Sequence, residues 1–159
     1  MSKKLIIGII AALAVVAAVL GIMNRSSGPK KDGLMIVFGG KETVISWEEI
    51  GRTSFEGDLI NGKGETKHNT YEGTELKNLL GKAGAEIAEN NKITVTSEDN
   101  YSAELTGSEL LEEGKVYVAL ARDGEMIEGI EGGQGAQLIV FGDSNQKRAV
   151  RYMKTVAIE

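Results

Sequence analysis

The residues of this chain best suited to hold a ligand lie between positions 132 and 152. Arg148 and Arg151 stand three residues apart, beside Lys147, and a glycine-rich stretch runs from Gly132 to Gln137. The planar forks of guanidinium groups match tetrahedral anions such as phosphate, and glycines let backbone amides approach an anion. Two other interpretations stay open. The arginines are solvated and pair with carboxylates of the same domain, or the glycines form a tight lead-in to a strand.

The four tyrosines are a second group of candidate binding residues. Aromatic rings can line a pocket for a planar ligand, whereas tyrosines in strands commonly pack in the core or against a neighbouring strand. The four are Tyr71, Tyr101, Tyr117 and Tyr152. Composition alone leaves both interpretations open.

The remaining residues form no recognisable catalytic or metal site. The chain has no cysteine and one histidine, His68, which lies in a polar loop and is predicted to be a solvated surface residue rather than a general base. No Ser-His-Asp or Cys-His arrangement can be argued, and zinc would have only carboxylates as further ligands. The acidic clusters at 98–100 and 123–125 lack the spacing of a calcium loop. We therefore predict no catalytic residue and no metal ligand.

Residues 5–23 are predicted to anchor the chain in a membrane. These nineteen residues carry no charge, and a helix of that length spans about 28 Å, close to the hydrocarbon core of a bilayer. An uncleaved anchor is favoured over a cleaved signal peptide, whose apolar region is about 7–15 residues long and ends in a small-x-small site. The short basic leader before the run favours a cytoplasmic N-terminus. The sequence thus predicts a single-pass protein of the cell membrane with an extracytoplasmic domain.

The chain divides by composition into an anchor, residues 1–24, a polar linker, residues 25–33, and one domain, residues 34–159. Residues 1–32 hold five of the 18 basic and one of the 23 acidic side chains. The rest of the chain therefore carries 13 basic and 22 acidic groups, a formal net charge of −9. Such a domain repels nucleic acid and anionic lipid headgroups. We expect no nucleic-acid partner.

Hydrophobic patterns predict a domain with many strands. Apolar or alternating runs predict strands at 34–38, 43–45, 93–95, 101–105, 116–120, 138–141 and 150–158. Glycines at 39–40 predict a hairpin between the first two strands. Residues 56–73 contain few apolar positions and are predicted to be a long loop or a loosely paired strand.

Few helices are predicted in the domain. Leucines at 76, 79 and 80 recur at helical spacing, with Gly84 placed to end the helix. The pattern Ser46-x-x-Glu49 resembles a capping box and predicts a short helix or turn. Many strands with two or three short helices indicate the α+β class.

Five motifs follow one another between Tyr71 and Tyr152. They are Tyr71-x-Gly73 followed by leucines at 76, 79 and 80; Asp99-Asn100-Tyr101; Asp123-Gly124-x-x-Ile127; the stretch Gly132 to Gly142; and Arg148 to Tyr152. The series resembles the oxidoreductase molybdopterin-binding domain of the sulfite oxidase type, including its His-Gly-x-Pro-x-Arg-Leu-Ile-Val-Pro-Gly and Arg-x-Val-Lys-Trp elements. The resemblance implies a sulfite-oxidase-like fold with several small mixed sheets and two or three short helices.

The departures from this family fall where its chemistry resides. Gly132 replaces the family's histidine, Gln137 its arginine, and Gly135 and Phe141 its two prolines. The cysteine that binds molybdenum has no counterpart anywhere in the chain. A molybdenum centre of this type needs that thiolate. The resemblance therefore implies a small divergent member without molybdenum catalysis.

The resemblance also implies a candidate binding site. In the family, the segment that corresponds to Arg148–Tyr152 resembles a cradle for the phosphate of the pterin. Carried over to this chain, the cofactor-binding residues are Arg148, Arg151, Gly133, Gln137 and Tyr101. We expect no bound cofactor, and a molybdopterin-type pterin is the one that the resemblance would allow.

Three functions are compatible with these features. The first is a membrane-anchored, extracytoplasmic module that binds a partner protein or a phosphorylated small ligand. The second is an accessory subunit of a membrane redox system that binds a pterin or another cofactor. The third is an oxidoreductase with unusual metal ligation. We favour the first, because the residues that would perform the chemistry are the ones replaced.

Overall fold

The computed structural model describes residues 32–144 and 146–159, and Asp32–Glu159 form one compact unit. The predicted anchor, residues 1–24, and the predicted linker up to residue 31 lie outside the described residues. Within the described residues, no helix is long and apolar enough to cross a membrane. Gly33, assigned to the linker from composition, is the first residue of a strand.

The described residues form ten strands, two short α-helices and one 3-10 turn. In chain order these are β1 Gly33–Phe38, β2 Lys41–Ser46, β3 Thr53–Ile60, β4 Thr66–Glu75, α1 Leu76–Lys82, β5 Lys92–Ser97, β6 Ser102–Thr106, α2 Gly107–Leu111, β7 Val116–Arg122, β8 Glu125–Met126, β9 Gln137–Val140, the 3-10 turn Gln146–Arg148, and β10 Met153–Ile158. The predicted α+β class is confirmed. The two sheets are larger and fewer than the several small mixed sheets that we predicted.

The first sheet is mixed and has the order β2-β1-β10-β5-β6. Strands β1 and β10 are parallel, and the other neighbours are antiparallel. The predicted β1–β2 hairpin turns at Gly39 and Gly40, whose φ angles of 57° and 76° suit the two-residue turn that matches strand twist. Strand β10, which is the other neighbour of β1, brings the segment that follows the 3-10 turn beside β5.

The second sheet is antiparallel, with β3, β4, β7 and β8 in that order and β9 also paired with β7. It is rolled. The ring of Phe55 in β3 stacks on Tyr117 in β7 at a centroid distance of 4.1 Å, although β4 lies between these strands. Neighbouring strands stand about 4.8 Å apart, so a flat sheet would separate the two rings far more widely. A second small apolar cluster fills the concave side of the roll: Leu59, Tyr71, Ala119 and Ile139.

The main core lies between the two sheets. Its buried cluster draws on β1, β5 and β10 of the first sheet and on β7 and β9 of the second, and α1 adds three leucines. Because β7 and β9 contribute to both clusters, their residues are buried on both faces. This pattern explains the uninterrupted apolar run of residues 138–140.

The predictions for helices and for residues 56–73 had mixed outcomes. Helix α1 forms as predicted, and Gly84 follows it with φ 80°. The Glu49 carboxylate accepts from the Ser46 amide at 2.9 Å and from the Ser46 hydroxyl at 2.8 Å, but the Glu49 amide donates to the Ser46 carbonyl rather than to the hydroxyl. This is half of a capping box, and of the predicted helix or turn it is the turn that forms. Of the two alternatives predicted for residues 56–73, a long loop and a loosely paired strand, the loop is wrong and the strand is correct. These residues belong to the β3–β4 hairpin, which pairs in register from Thr53↔Gly73 to Ile60↔Thr66.

Candidate ligand-binding site

A cleft of about 260 Å³ opens where the β5–β6 turn meets the segment before β10. The lining residues are Asp99, Tyr101, Gln146, Lys147, Ala149, Arg151 and Tyr152. Two of the residues assigned to the site from the sequence, Tyr101 and Arg151, therefore share one cleft. The other three do not line it.

The β5–β6 turn places a negative charge in the cleft. The Asp99 carboxylate accepts hydrogen bonds from the Ser97 hydroxyl and, at 3.3 Å, from the Tyr101 backbone amide. The bond from Ser97 is the main reason that the pKa of Asp99 lies below its ordinary value. Asn100 completes the turn with φ 66°, a conformation that asparagine tolerates. Asp99 is thus ionised at neutral pH.

Tyr101 ties the beginning of β6 to the 3-10 turn. Its hydroxyl donates to the backbone carbonyl oxygen of Lys147, while 49% of the residue is exposed. Exposed tyrosines held in one position present a rigid, amphipathic surface at low entropic cost. The cleft therefore has an aromatic wall.

Tyr152 lines the cleft with a strained backbone. Its φ angle of 54° lies in the left-handed region, which bulky residues rarely adopt and which costs about 1–3 kcal/mol. Two bonds hold this segment: the Glu98 amide donates to the Tyr152 carbonyl at 2.9 Å, and the Met153 amide donates to the Ala136 carbonyl at 3.0 Å. Because such strain concentrates at functional sites, Tyr152 marks the cleft as a candidate.

Arg151 supplies a positive charge that no described neighbour neutralises. Its side chain is exposed and forms no hydrogen bond or ion pair with residues 32–144 or 146–159. Lys147 also lines the cleft. With Asp99, the cleft has two cationic side chains and one anionic side chain. It is locally positive on a domain whose net charge is strongly negative.

The side chain of Arg148 makes its contacts outside the cleft. Its guanidinium group bonds to Asp143 through Nε at 2.9 Å and through a second nitrogen, and to Glu109 at 2.9 and 3.1 Å. The Glu104 carbonyl oxygen lies 3.4 Å from the same group. These acceptors occupy both hydrogen-bonding edges of the guanidinium group. The structure thus places Arg148 in an internal ion network rather than in the cleft.

Glu109 and Asp143 were not among the residues singled out from the sequence. Arg148 is the main cause of the lowered pKa of Glu109, and the Thr106 backbone bond adds to it. Thr106 and Glu109 form a capping box at the start of α2. That Thr-x-x-Glu pattern is visible in the sequence and predicts the helix. The ion pair with Arg148, 39 residues away, has no sequence signal.

The glycine-rich stretch contributes no residue to the lining of the cleft. Gly133 is in an exposed turn with φ 74°, and its carbonyl accepts from the Gly129 amide at 3.2 Å. Gln137 is buried in β9, opposite Ala119 of β7. Strand alternation turns its side chain towards the concave side of the rolled sheet. The five residues assigned from the sequence are therefore distributed over four places: the cleft, the ion network, the exposed turn and the buried strand β9.

A second depression of about 530 Å³ adjoins the cleft. It lies between the β3–β4 turn and the loop after β9, and it shares Gln146 and Lys147 with the cleft. Its other lining residues are Asn61, Gly62, Gly64 and Ser144. A ligand in the cleft could therefore extend across the 3-10 turn.

His68 lies in β4 of the β3–β4 hairpin and lines neither the cleft nor the second depression. Its Nδ1 is 2.7 Å from Asp58, and this hydrogen bond is the main reason that the pKa of His68 lies above its ordinary value. The ring is exposed, as predicted. Among the described residues, no group of three or more His, Asp or Glu side chains is arranged to hold a metal ion.

Comparison with known proteins shows a similarity in fold. No family model and no curated protein matches the chain. Among solved structures, it is similar to the sulfane dehydrogenase SoxCD from Paracoccus pantotrophus, with a TM-score of 0.64 and 18% sequence identity. The match covers 82% of this chain and 39% of that one. The chain thus spans less than half the length of its neighbour.

The similarity supports the predicted sulfite-oxidase-like fold and goes no further. An identity of 18% relates two folds without relating their activities. The neighbour is a dehydrogenase, and that activity is a property of the neighbour. What this domain does has to be argued from its own site. The chain has the fold of part of a sulfite-oxidase-like protein.

Proposed function

We propose that this domain is a binding module for a small anionic ligand, of which a phosphate monoester is the type, and that it performs no molybdenum chemistry. The observation that carries the proposal is the Arg151 guanidinium, which lies in a cleft without a described partner on a domain of net charge −9. A guanidinium binds phosphate through two parallel hydrogen bonds. Two tyrosines line the cleft and would pack against the ligand's organic part.

The residues of this chain do not fit a molybdopterin centre. The sequence has no thiol to bind the metal. Arg148, which the resemblance assigned to the pterin phosphate, has both forks occupied by Asp143 and Glu109. Gln137 stands where the family has an arginine and is buried in the second sheet. These observations support a function that does not pass through molybdenum.

The charge distribution favours a small anion over a polymeric one. The chain after residue 32 carries a net charge of −9, and a charge of this sign repels nucleic acid. At short range, Arg151 and Lys147 outnumber Asp99. A small ligand meets mainly this local charge, since salt screens interactions beyond about 8–10 Å.

A membrane tether at residues 5–23 and an extracytoplasmic position complete the proposal. Both rest on the uncharged run and on the basic leader before it. A tethered binding domain acts at a membrane surface, where it would present or retain its ligand.

The test is a titration of the full-length chain, in detergent micelles, with phenyl phosphate. We expect weak, salt-sensitive binding with a dissociation constant near the millimolar range, which corresponds to about −4 kcal/mol. Arg151→Ala should weaken binding about tenfold or more, because a charge-assisted bond contributes roughly 1.5–3 kcal/mol. Asp99→Asn should strengthen it, because the substitution removes the one negative charge of the cleft.

Lys41→Ala is the matched control, since Lys41 is an exposed cation of β2 away from the cleft. It should leave the titration unchanged. Equal binding by the wild type and Arg151→Ala would refute the site. Stoichiometric molybdenum in protein purified from its native membrane would refute the loss of molybdenum chemistry.

A further inference from the structure

Strand β8 and the loop that follows it expose two large apolar side chains. Met126 is 50% exposed and Ile130 is 49% exposed. A single apolar residue on a surface is ordinary, but these two stand four residues apart on one short segment. We call residues 125–134 the acidic loop, because it also carries Glu125, Glu128 and Glu131.

The acidic loop is held in one conformation by the side chain of Gln134. Its Nε2 donates to the carbonyl oxygens of Gly135 at 2.7 Å, Leu120 at 2.9 Å and Ile127 at 3.3 Å. Its Oε1 accepts from Arg52 at 2.7 Å. A loop fixed in this way presents its exposed side chains without paying an ordering entropy on binding.

The glutamates of the acidic loop form no ion pair with any residue that the structure describes. Two other exposed acids are paired, Glu104 with Lys92 at 2.7 Å and Glu112 with Lys115 at 2.7 Å, whereas the exposed Glu86 and Glu89 form no ion pair with a described residue. Arg122 faces Glu125 across the β7–β8 pair and leaves the loop with a net negative charge. The apolar pair is thus bordered by uncompensated carboxylates.

We propose that the acidic loop is a docking surface for a protein partner whose surface is basic and carries an apolar pocket. Protein interfaces combine apolar anchors at their centre with a charged rim of the opposite sign to the partner. Met126 and Ile130 would be the anchors, and the three glutamates would form the rim. The partner is distinct from the small ligand of the cleft.

The negative charge of the domain favours a basic protein over other partners at the acidic loop. A second copy of the chain also carries a net charge of −9 after residue 32, so docking between copies is opposed by repulsion. Anionic lipid headgroups and nucleic acid are opposed for the same reason. A basic protein is attracted, and its encounter rate should fall as salt rises.

The test is photo-crosslinking in the native cells, with p-benzoylphenylalanine in place of Met126 in the full-length chain. We expect one discrete adduct with another protein that has a basic surface. Ile130→Ser should lower its yield about fivefold or more, as loss of an interface anchor does. Glu128→Gln with Glu131→Gln should lower it as well. The matched control is Glu86→Gln with Glu89→Gln, an exposed pair with the same spacing and charge change.

Several results would overturn the proposal. They are the absence of an adduct, an equal adduct when the probe replaces Leu111 instead, an adduct with a second copy of the chain, and a yield that falls equally in the control pair. Leu111 is 45% exposed in α2 and serves as the control position. Equal abundance and equal unfolding midpoints of all variants exclude misfolding. Arg151→Ala should leave the adduct unchanged, which separates this proposal from the one about the cleft.

Discussion

Arg148 joins three segments that are distant in the chain: the 3-10 turn, the loop after β9, and helix α2. It does so by bonding to Asp143 and Glu109, and its side chain is 29% exposed against 20% and 22% for the two acids. Charged groups at this level of burial are poorly hydrated, so each depends on the others. Arg151, three residues later, is exposed and has no described partner. Two residues of the same type therefore serve different purposes.

This difference predicts unequal effects of two alanine substitutions on the free energy of unfolding. Arg148→Ala should lower the free energy of unfolding by about 1–3 kcal/mol, because it leaves two half-buried carboxylates without their cation. Arg151→Ala should change it by less than about 0.5 kcal/mol. Urea denaturation of both variants measures the difference. Equal effects would mean that the ion network does not stabilise the fold.

Acid should weaken the same network. The pKa of Glu109 is lowered in the folded chain, mainly by Arg148, from an ordinary value of 4.5. The stabilisation is therefore complete above that value and is lost as pH falls through the lower, folded-state pKa. His68 adds no slope there, because it is protonated in both states at such pH. Urea midpoints should fall between about pH 5 and pH 3, and less steeply in Glu109→Gln. An unchanged slope in that variant would contradict this assignment.

At the scale of elements, sequence patterns predicted the elements whose buried side chains recur at a regular spacing. They missed features that depend on pairing between elements. Helix α1 has three buried leucines at helical spacing and was found. The β3–β4 region was predicted only as a long loop or a loosely paired strand, because exposed polar residues occupy half of β3 and its apolar side chains face the roll. Helix α2 is five residues long and has no apolar period, although its Thr106-x-x-Glu109 box was visible. Whether a short element forms is decided by the elements that it packs against or pairs with.

The candidate site shows the same limit. Tyr101 and Arg151 are 50 positions apart and meet because β10 pairs with β5, whose turn carries Tyr101. The family resemblance, which rests on the order of the motifs, led us to place Tyr101 and Arg151 in one site. The neutralisation of Arg148 by Asp143 and Glu109 depends on where α2 packs, and no local pattern encodes that. Residue type predicts which groups bind anions, whereas the fold decides which of them are available.

The two leucines Leu79 and Leu111 test how helices α1 and α2 are held. Leu79 is 1% exposed and packs in the main core, whereas Leu111 is 45% exposed. Leu79→Ala should cost about 2–5 kcal/mol of unfolding free energy, through lost burial and the cavity that remains. Leu111→Ala should cost less than about 1 kcal/mol. Denaturant titration gives both values, and a small effect at Leu79 would mean that α1 is not part of the core.

At the scale of the whole molecule, charge is divided between the two ends of the sequence. Residues 1–32 hold five basic side chains and one acidic one, and the remainder holds 13 and 22. An acidic domain is repelled by anionic headgroups, so electrostatics alone would not keep it at a membrane. In the proposal of a membrane tether, retention would come from the uncharged run at residues 5–23. The proposed tether and the acidic domain would then be separable properties.

That separation predicts how the full-length chain behaves in cells. It should stay in the membrane fraction after high salt and alkaline carbonate and be released by detergent, because about twenty apolar residues span a bilayer. Leu13→Arg with Val16→Arg should release it, since each arginine at the centre of a span costs about 2.5–3.5 kcal/mol. External protease added to intact cells should digest the domain. Extraction by carbonate would rule out the anchor, and protection until the cells are lysed would place the domain in the cytoplasm.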